Sequence, residues 1–384
     1  MIAGGGFAGI SALRRLKKHK RVLKRGFKLM LLDSKPYSEF LPMLPDVVGG
    51  WMRPELLRYD LASLAEKQGA EFIRTGITSL DSANRIIKTG AGDIPYEYAV
   101  LATGSMTNFY GSADLQNSCM KLDNIDDAEL INRSILEKAG KAGELNIIVV
   151  GGGYTGIEIA TNINYLLMDR NVEYRVCVIE RADDILLMLP GWIRKGVKRE
   201  LDRLRIHVMT SDALREYDGS KATLSSGKEF NNALCVWSAG VKTPEYIDGS
   251  EFNKQKGRIR VDEQLRPLDP PREGVFIAGD TADFSHGLYK KPLRMAVMFS
   301  MGQGKTAAEN VVKSILKKPL VKYRPLDLGY LVPVASGKAL GKVMGMSVKG
   351  FPGYFMHYFM CAYRSEWGNR TGIMSEFIKK YFSR

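Results

Sequence analysis

Cysteine, histidine and long apolar runs are scarce in this sequence of 384 residues. The four cysteines lie far apart without a CxxC pair, and the four histidines show no metal-ligand spacing, so no metal site is predicted. The longest charge-free apolar stretch near the end, residues 350–363, has 14 residues, whereas a helix that spans a bilayer needs about 20. A glycine turn at Gly4 leaves no room for a secretory signal. We therefore expect neither a disulfide scaffold nor a membrane-spanning chain.

The composition is that of a globular protein, with 45% hydrophobic and 26% charged residues, and the length suits two or three domains. Cys177 and Cys235 lie in apolar, strand-like runs, which favours buried thiols and a reducing, cytoplasmic setting. The net charge is +14, and residues 317–384 hold twelve basic residues against three acidic ones. Charge alone permits a nucleic-acid partner, but no nucleic-acid motif supports one.

A glycine-rich turn in the middle of the chain has the surroundings of a dinucleotide-binding fingerprint. An apolar strand over 146–150 precedes it, a helical pattern follows, and the next strand ends on Glu180, 29 residues after Gly151. Glycines there allow backbone to approach a pyrophosphate at a helix N-terminus. An acid at Glu180 can accept both ribose hydroxyls and repel a 2′-phosphate, which favours NADH over NADPH, and Arg181 moderates the preference. The predicted binding residues of this turn are Gly151, Gly153, Tyr154, Thr155 and Gly156.

The start of the chain repeats the same arrangement. A strand over 27–33 ends on Asp33, again 29 residues after the first glycine of the turn. Only residues 1–3 precede the glycines, so we expect either a very short first strand or a true start that lies upstream. The equal spacing predicts two dinucleotide sites, and the predicted binding residues of the first are Gly4, Gly6, Phe7, Ala8, Gly9, Asp33 and Ser34.

Three further strand ends carry small residues. Strands over 98–101 and 234–237 lead into Ala102-Thr103-Gly104 and Ser238-Ala239-Gly240, where backbone is expected to pass close to a flat or polar group. A third strand delivers Gly279 and Asp280. Asp280 is expected to bind a cofactor hydroxyl, with a helix cap as the alternative.

The order of these motifs over residues 1–312 resembles the flavoproteins with two dinucleotide-binding domains. In that superfamily the first turn and the late AGD segment hold FAD, and the second turn belongs to an inserted NAD(P)H domain. The resemblance implies an α/β fold with two Rossmann-like domains, the FAD domain with the inserted NADH domain, plus a small C-terminal membrane-associating segment. The implied bounds are 1–112 and 266–316 for FAD, 113–265 for NAD(P)H and 317–384 for the last segment.

Within the superfamily the chain looks most like the type II NADH dehydrogenases, the non-pumping NADH:quinone oxidoreductases. YSEFLPMLPDVVGG at 37–50 resembles the segment that lies along FAD, which implies contacts from Phe40 and Pro42. ATGSMTNFYG and VWSAGVK resemble two further family segments, and the latter implies contacts from Ala239 and Gly240. GGGYTGIEIA carries Glu158, which matches the family's glutamate near nicotinamide and quinone.

One family motif is incomplete. The resemblance would place a glutamine-rich AQxAxQQG quinone motif at 297–304, where the sequence reads VMFSMGQG. Gln303 and Gly304 match, whereas Met298 and Gly302 replace glutamines. Gln303 is therefore the implied quinone residue beside Glu158.

The last segment is rich in aromatic and basic side chains. Such a segment can lie in the interfacial plane of a membrane, with cations on anionic lipids, and a dimerisation arm or core helix is the alternative. We therefore expect a peripheral flavoprotein on the cytoplasmic side of the cell membrane, with FAD, NADH and a quinone as acceptor. A soluble NADH-dependent reductase of a ferredoxin-type carrier and a sulfide:quinone reductase-like protein stay as alternatives, and a homodimer stays open.

Overall fold

The computed structural model describes residues 1–24, 26–141, 143–285, 292–334 and 337–382. Strands and helices alternate around the two glycine turns, and runs of consecutive strands lie elsewhere in this part of the chain. The strands, in chain order, are β1 (Ile2–Ala3), β2 (Met30–Asp33), β3 (Tyr37–Glu39), β4 (Arg58–Asp60), β5 (Glu71–Arg74), β6 (Ile77–Asp81), β7 (Ile86–Thr89), β8 (Gly92–Pro95), β9 (Ala99–Leu101), β10 (Met106–Thr107), β11 (Met120–Lys121), β12 (Leu145–Val150), β13 (Tyr174–Glu180), β14 (His207–Thr210), β15 (Leu214–Tyr217), β16 (Ala222–Leu224), β17 (Glu229–Phe230), β18 (Ala233–Trp237), β19 (Val241–Lys242), β20 (Lys254–Gln255), β21 (Arg258–Arg260), β22 (Val275–Ile277), β23 (Ala282–Asp283), β24 (Gly329–Val334), β25 (Lys338–Val343) and β26 (Met346–Gly350).

The helices range from one turn to five turns. They are α1 (Phe7–Lys17), α2 (Lys20–Leu23), α3 (Leu44–Val48), α4 (Leu61–Gln68), α5 (Ala113–Ser118), α6 (Ile125–Ala139), α7 (Tyr154–Leu167), α8 (Gly191–Arg203), α9 (Glu245–Asp248), α10 (Val297–Ile315), α11 (Phe351–Arg364) and α12 (Arg370–Phe382). Short 3₁₀ turns lie at Leu41–Met43, Pro54–Leu57, Gly279–Thr281 and Trp367–Asn369. Among the described residues, none of the helices combines the length and apolar character that a membrane span needs.

The chain divides into two compact units. The first holds residues 1–38, 59–106 and 242–327, and the second holds residues 39–58, 107–241 and 328–384. Each unit contains one of the two glycine turns and is described separately below. The domain bounds expected from the sequence stay a prediction.

The first unit is centred on a parallel sheet with strand order β22-β9-β1-β2-β5. The central strand β1 has only two residues, and Ala3 pairs with both Leu32 and Leu101. Because the carboxyl ends of parallel strands lie at one edge, the register brings Gly4, Asp33 and Ala102 to the same edge. Although the first strand has only two residues, it still brings the glycine turn, the acid and the third strand end to one edge of the sheet.

The second unit repeats this design with a parallel sheet of order β11-β18-β12-β13-β14. Val150 pairs with both Ile179 and Trp237, so the residues that follow these three, Gly151, Glu180 and Ser238, lie at one edge of the sheet. All six residues of β12 are buried, as in a strand that helices cover on both faces.

The C-terminal part of the second unit is a small α+β arrangement. Strands β24, β25 and β26 form an antiparallel sheet, and α11 packs on it where Gly353 lies against Ala339. Helix α12 packs on α11 through Phe377, whose ring contacts Tyr354 and Tyr358. The segment that the sequence assigns to a membrane surface is thus also a packed part of the second unit.

Candidate functional sites: two glycine cradles and a buried carboxyl

The first glycine turn depends on glycine for close backbone approach. Gly4 has a φ of +106°, and a Cβ on it would overlap the carbonyl group of Ala102. A Cβ on Gly9 would overlap the carbonyl oxygen of Gly4. These approaches bring the start of α1 against the strand ends. Thr103 is held there by a hydrogen bond of 2.7 Å between its hydroxyl and that of Tyr246.

The second turn reproduces these contacts residue by residue. Gly151 has a φ of +110°, and a Cβ on it would lie 2.7 Å from the Ser238 carbonyl oxygen. A Cβ on Gly156 would overlap the carbonyl oxygen of Gly151. The next segment is fixed from its other side, because the Tyr110 hydroxyl donates to the Ala239 carbonyl oxygen at 3.0 Å. Tyr110 also fills the space where a Cβ on Gly240 would stand.

Gly6 and Gly153 differ from the other turn glycines. A Cβ on either residue would meet nothing within 4 Å, and both have ordinary extended backbone. They are the N-cap residues of α1 and α7, which the described residues provide with no capping side chain. The first helical turns, with Phe7 and Ala8 or Tyr154 and Thr155, therefore offer backbone N–H groups to an anionic ligand.

The two predicted acids occupy matching positions. Asp33 accepts from the backbone N–H of Gly5 at 2.6 Å through Oδ2, and from Lys35 N–H at 2.9 Å through Oδ1. Glu180 accepts from Gly152 N–H at 2.7 Å through Oε2, and from Ala182 N–H at 2.8 Å through Oε1. Both carboxylates are thus fixed against the glycine turn. Ser34, beside Asp33, is exposed.

We call each glycine turn, together with its acid and the start of the following helix, a cradle. The Gly279–Asp280 turn lies against the first cradle, since a Cβ on Gly279 would be 3.1 Å from the Cβ of Ala8. Asp280 accepts from the Ser105 hydroxyl at 2.9 Å, and burial raises the pKa of its carboxyl group. Gln303 is buried, and its carboxamide oxygen accepts from Gly279 N–H at 2.7 Å. Gln303 therefore ties α10 to this turn.

Gly302, one of the two positions at which the glutamine motif is incomplete, has crowded surroundings. A Cβ on Gly302 would lie 3.1–3.3 Å from the ring of Tyr323, so a glutamine at this position would require that ring to move. Gly304 is required for contact between α10 and α1, because a Cβ on it would overlap the backbone of Ala8.

The second unit also holds the segment with Phe40 and Pro42. Phe40 is buried and donates its N–H to the Leu57 carbonyl oxygen at 2.9 Å, and Pro42 lies in the 3₁₀ turn that precedes α3. Glu158 lies on α7 and is partly buried. Burial and, secondly, the charge of Asp46 raise the pKa of Glu158 well above its ordinary value.

Sequence reasoning missed the residues around Asp46. This carboxylate is buried and accepts from the Tyr358 hydroxyl at 2.9 Å and from the Asn162 amide at 3.3 Å. Asn162 stands one helical turn after Glu158, which is the one local signal that could have indicated it.

The four cysteines are buried and free, including Cys177 and Cys235. Within the described ranges, no group of three or more His, Cys, Asp or Glu residues is arranged to hold a metal ion. Among the described residues, burial raises the pKa of several carboxyl groups, namely those of Asp46, Glu158, Asp280 and Asp283.

Comparison with known proteins gives consistent relatives. The type II NADH:quinone oxidoreductase of Staphylococcus aureus strain NCTC 8325 / PS 47 is 21% identical over 380 residues, 93% of this chain and 92% of that protein. The structure of NDH2 from Plasmodium falciparum in complex with NADH superposes with a TM-score of 0.85 at 16% identity, over 99% of this chain and 97% of that one. The structure of the sulfide:quinone oxidoreductase of Aquifex aeolicus superposes with a TM-score of 0.79 at 19% identity, over 99% of this chain and 94% of that one.

These findings confirm the α/β fold with two dinucleotide-binding units and the predicted resemblance to type II NADH dehydrogenases. The sequence profile described as pyridine nucleotide-disulphide oxidoreductase matches residues 1–308. The match covers well over half of the 384 residues, and the chain therefore belongs to the pyridine nucleotide-disulphide oxidoreductase family.

Proposed function

We propose that the protein is a non-pumping NADH:quinone oxidoreductase that passes a hydride from NADH to FAD and two electrons onward to a quinone. The observation that carries the proposal is the doubled cradle, in which Asp33 and Glu180 hold the same bonds to two glycine turns. Two dinucleotide sites in one chain suit a resident electron carrier and a donor that leaves. The near full-length similarity to the Staphylococcus aureus enzyme supports the same activity.

The first unit is proposed to hold FAD. Its first cradle provides backbone N–H groups for the pyrophosphate, Asp33 for the ribose and Asp280 for a further hydroxyl. When bound, FAD supplies the hydride-accepting ring system that separates oxidation of NADH from reduction of the quinone. Phe40, Pro42 and the Ala102-Thr103-Gly104 segment stay proposed FAD contacts on the family resemblance.

The second cradle is proposed to hold NADH. Glu180 is fixed by Gly152 and Ala182, and its carboxylate is proposed to accept from the adenosine ribose. This arrangement favours NADH, because a 2′-phosphate would stand against a carboxylate that the backbone holds in place. Ala239 and Gly240 are proposed to contact the same ligand.

Glu158 is proposed to supply the proton that the hydride does not bring. Reduction of a quinone to a quinol consumes NADH and one proton from water, and releases NAD⁺. A carboxyl group whose pKa is raised by burial keeps that proton to higher pH than an ordinary glutamate and can release it to an acceptor oxygen. Gln303 is proposed to donate a hydrogen bond to the quinone through its amide nitrogen, since its oxygen already accepts from Gly279 N–H.

The test of this function is NADH oxidation by the purified, flavin-loaded protein with two acceptors. A short-chain soluble quinone should be reduced at catalytic rates, whereas a ferredoxin-type carrier should accept electrons slowly. Fast reduction of the carrier alone would favour the ferredoxin-reductase alternative. Sulfide-driven reduction of quinone without NADH would favour the sulfide:quinone reductase alternative.

The membrane surface is proposed to be the site of quinone reduction. Helix α11 exposes a row of aromatic side chains four residues apart, namely Phe351, Phe355, Phe359 and Tyr363. Residues at this spacing lie on one face of a helix, and aromatic faces of this kind enter the headgroup layer of a bilayer. With the basic excess of residues 317–384, this face suits anionic lipid on the cytoplasmic side, where NADH is available.

Replacing both Phe355 and Phe359 with Ser should weaken binding to anionic liposomes by about 10- to 100-fold. These rings are 43% and 49% exposed, so their transfer into lipid buries roughly one ring's worth of new apolar surface, about 1.5–3 kcal/mol. Liposome flotation at low and high salt measures the effect, since salt screens the cationic contribution.

The matched control is Leu130→Ser on α6, which removes a side chain that is 43% exposed elsewhere in the same unit. It should leave flotation unchanged. If the two-ring variant instead floats like the wild type but changes from dimer to monomer in sedimentation, the aromatic row is a contact between two copies of the chain.

A further inference from the structure

A buried polar cluster in the second unit joins helices α3, α7 and α11. Asp46, on α3, is 3% exposed, and its Oδ1 atom accepts from the Tyr358 hydroxyl and the Asn162 amide. A carboxylate removed from water is costly unless donors and a cation compensate it. The two donors fix the position of the carboxylate, and helix α12 supplies the cation.

The cation is Lys380, which is 6% exposed and surrounded by aromatic rings. Ring faces attract an ammonium group, most strongly when both are shielded from water. Burial raises the pKa of Asp46 to about 6, and the positive charge of Lys380 opposes that rise, so Asp46 is a carboxylate at neutral pH. The ammonium nitrogen lies 3.9, 4.7, 5.6 and 5.9 Å from the ring centroids of Trp51, Tyr165, Tyr354 and Tyr358, respectively.

Asn162 connects this charge pair to the helix that carries Glu158. Its amide nitrogen donates both to Asp46 and, at 3.0 Å, to the backbone carbonyl oxygen of Glu158. Its oxygen accepts from the Trp51 indole at 3.0 Å, and Gly49 packs directly against the amide, because a Cβ there would lie 2.8 Å from that oxygen. The amide therefore holds the α3 carboxylate against the face of α7 on which Glu158 stands.

We propose that Asp46 and Lys380 are positioning residues for Glu158: the buried carboxylate, fixed by its two donors and balanced by the caged ammonium, keeps the proton on Glu158 until an acceptor takes it. The inference rests on the proposed function. When the acceptor oxygen has received its two electrons from NADH, the O–H bond of Glu158 breaks and the proton moves to that oxygen. The carboxylate left behind regains a proton from water.

Other titratable groups face the cluster from α11. Burial lowers the pKa of His357 to about 4, so its imidazole is neutral at neutral pH. Burial raises the pKa values of the Cys361 thiol and the Tyr358 hydroxyl, and both keep their protons. The positive charge of Arg364 contributes to the lowered pKa of His357 and opposes the raised pKa of Cys361. Among the described groups, the charge that raises the pKa of Glu158 is therefore that of Asp46.

Infrared titration of the full-length, flavin-loaded protein tests the assignment without a quinone. The acid C=O band that is lost in Glu158→Gln belongs to Glu158, and the band lost in Asp46→Asn belongs to Asp46. In Asp46→Asn the Glu158 band should titrate at lower pH than in the wild type, because the neighbouring negative charge is gone. Asparagine keeps the shape of the aspartate side chain, and its amide oxygen can still accept from the Tyr358 hydroxyl.

The second variant, Lys380→Met, removes the positive charge of the cluster and keeps the negative one. Without the ammonium, the Asp46 band should titrate above its wild-type value of about 6. Lys379→Met is the matched control, because Lys379 is the next residue, is 67% exposed and pairs with Glu376 at 3.0 Å. It should leave both bands in place.

Two results would overturn the inference. One is a Glu158 band that titrates at the wild-type pH in Asp46→Asn, and the other is an Asp46 band that moves no further in Lys380→Met than in Lys379→Met. If Asp46→Asn does not fold, the comparison of the two lysine variants decides. A wild-type protein that reduces no quinone would overturn the proposed function and would leave these titrations readable.

Discussion

Gly6→Ala is expected to leave the protein folded and to lower its affinity for FAD by about two orders of magnitude. A Cβ on Gly6 meets nothing within 4 Å, and the backbone there is extended, so the chain itself does not require glycine. The space is proposed to be that of the pyrophosphate, and a methyl group would push it away from the N–H groups of α1. Charge-assisted hydrogen bonds contribute about 1.5–3 kcal/mol each, and every 1.4 kcal/mol is about tenfold in affinity.

The matched variant is Gly153→Ala, because Gly153 stands at the same position of the second turn and is equally open. It should retain flavin at the wild-type level and bind NADH more weakly by a similar factor. Flavin content after reconstitution and the dependence of flavin reduction on NADH concentration measure the two effects. If Gly6→Ala binds FAD normally, or if both variants lose the same ligand, the cradles have been assigned wrongly.

The cradles could be predicted from the sequence because their determinants are local. A strand, a glycine turn, a helix and a second strand follow each other within about thirty residues, and the fixed spacing of 29 residues between first glycine and acid holds in both copies. The predicted strand that ends on Glu180 is β13, Tyr174–Glu180, and the predicted strand 27–33 is shortened to β2, Met30–Asp33. Strand ends fray because pairing with neighbours, which the local sequence does not encode, decides them.

The buried cluster could not be predicted for the opposite reason. Asp46 and Tyr358 are 312 residues apart in the chain, and only the tertiary fold brings them together. Lys379 and Lys380 are adjacent identical residues, yet one is exposed and the other is enclosed by aromatic rings. In sequence both belong to a basic tail rich in aromatics, a pattern that an interfacial segment and a packed helix pair share.

Glu158→Gln is expected to slow reduction of quinone by about 10²–10⁴-fold at neutral pH, the usual contribution of a general acid, and to leave reduction of the bound flavin by NADH unchanged. Glutamine keeps the size and polarity of glutamate and has no acidic proton to give. Stopped-flow absorbance separates the two half-reactions, one started with NADH and the other with quinone. Glu216→Gln on β15 is the control, because Glu216 is 71% exposed in the same unit and should change neither rate.

The rate of quinone reduction should also depend on pH in a defined direction. Burial and the charge of Asp46 raise the pKa of Glu158, so the protonated, proton-giving form persists to higher pH than in an ordinary glutamate and is lost as the pH rises through that raised value. The wild-type rate with quinone should therefore fall at high pH, and Glu158→Gln should have a low rate without that fall. Because NADH passes a hydride and needs no proton from the protein, the first half-reaction should show neither change. A variant that slows both half-reactions equally would instead place Glu158 in NADH binding, and the proton for the quinone would then come from another group.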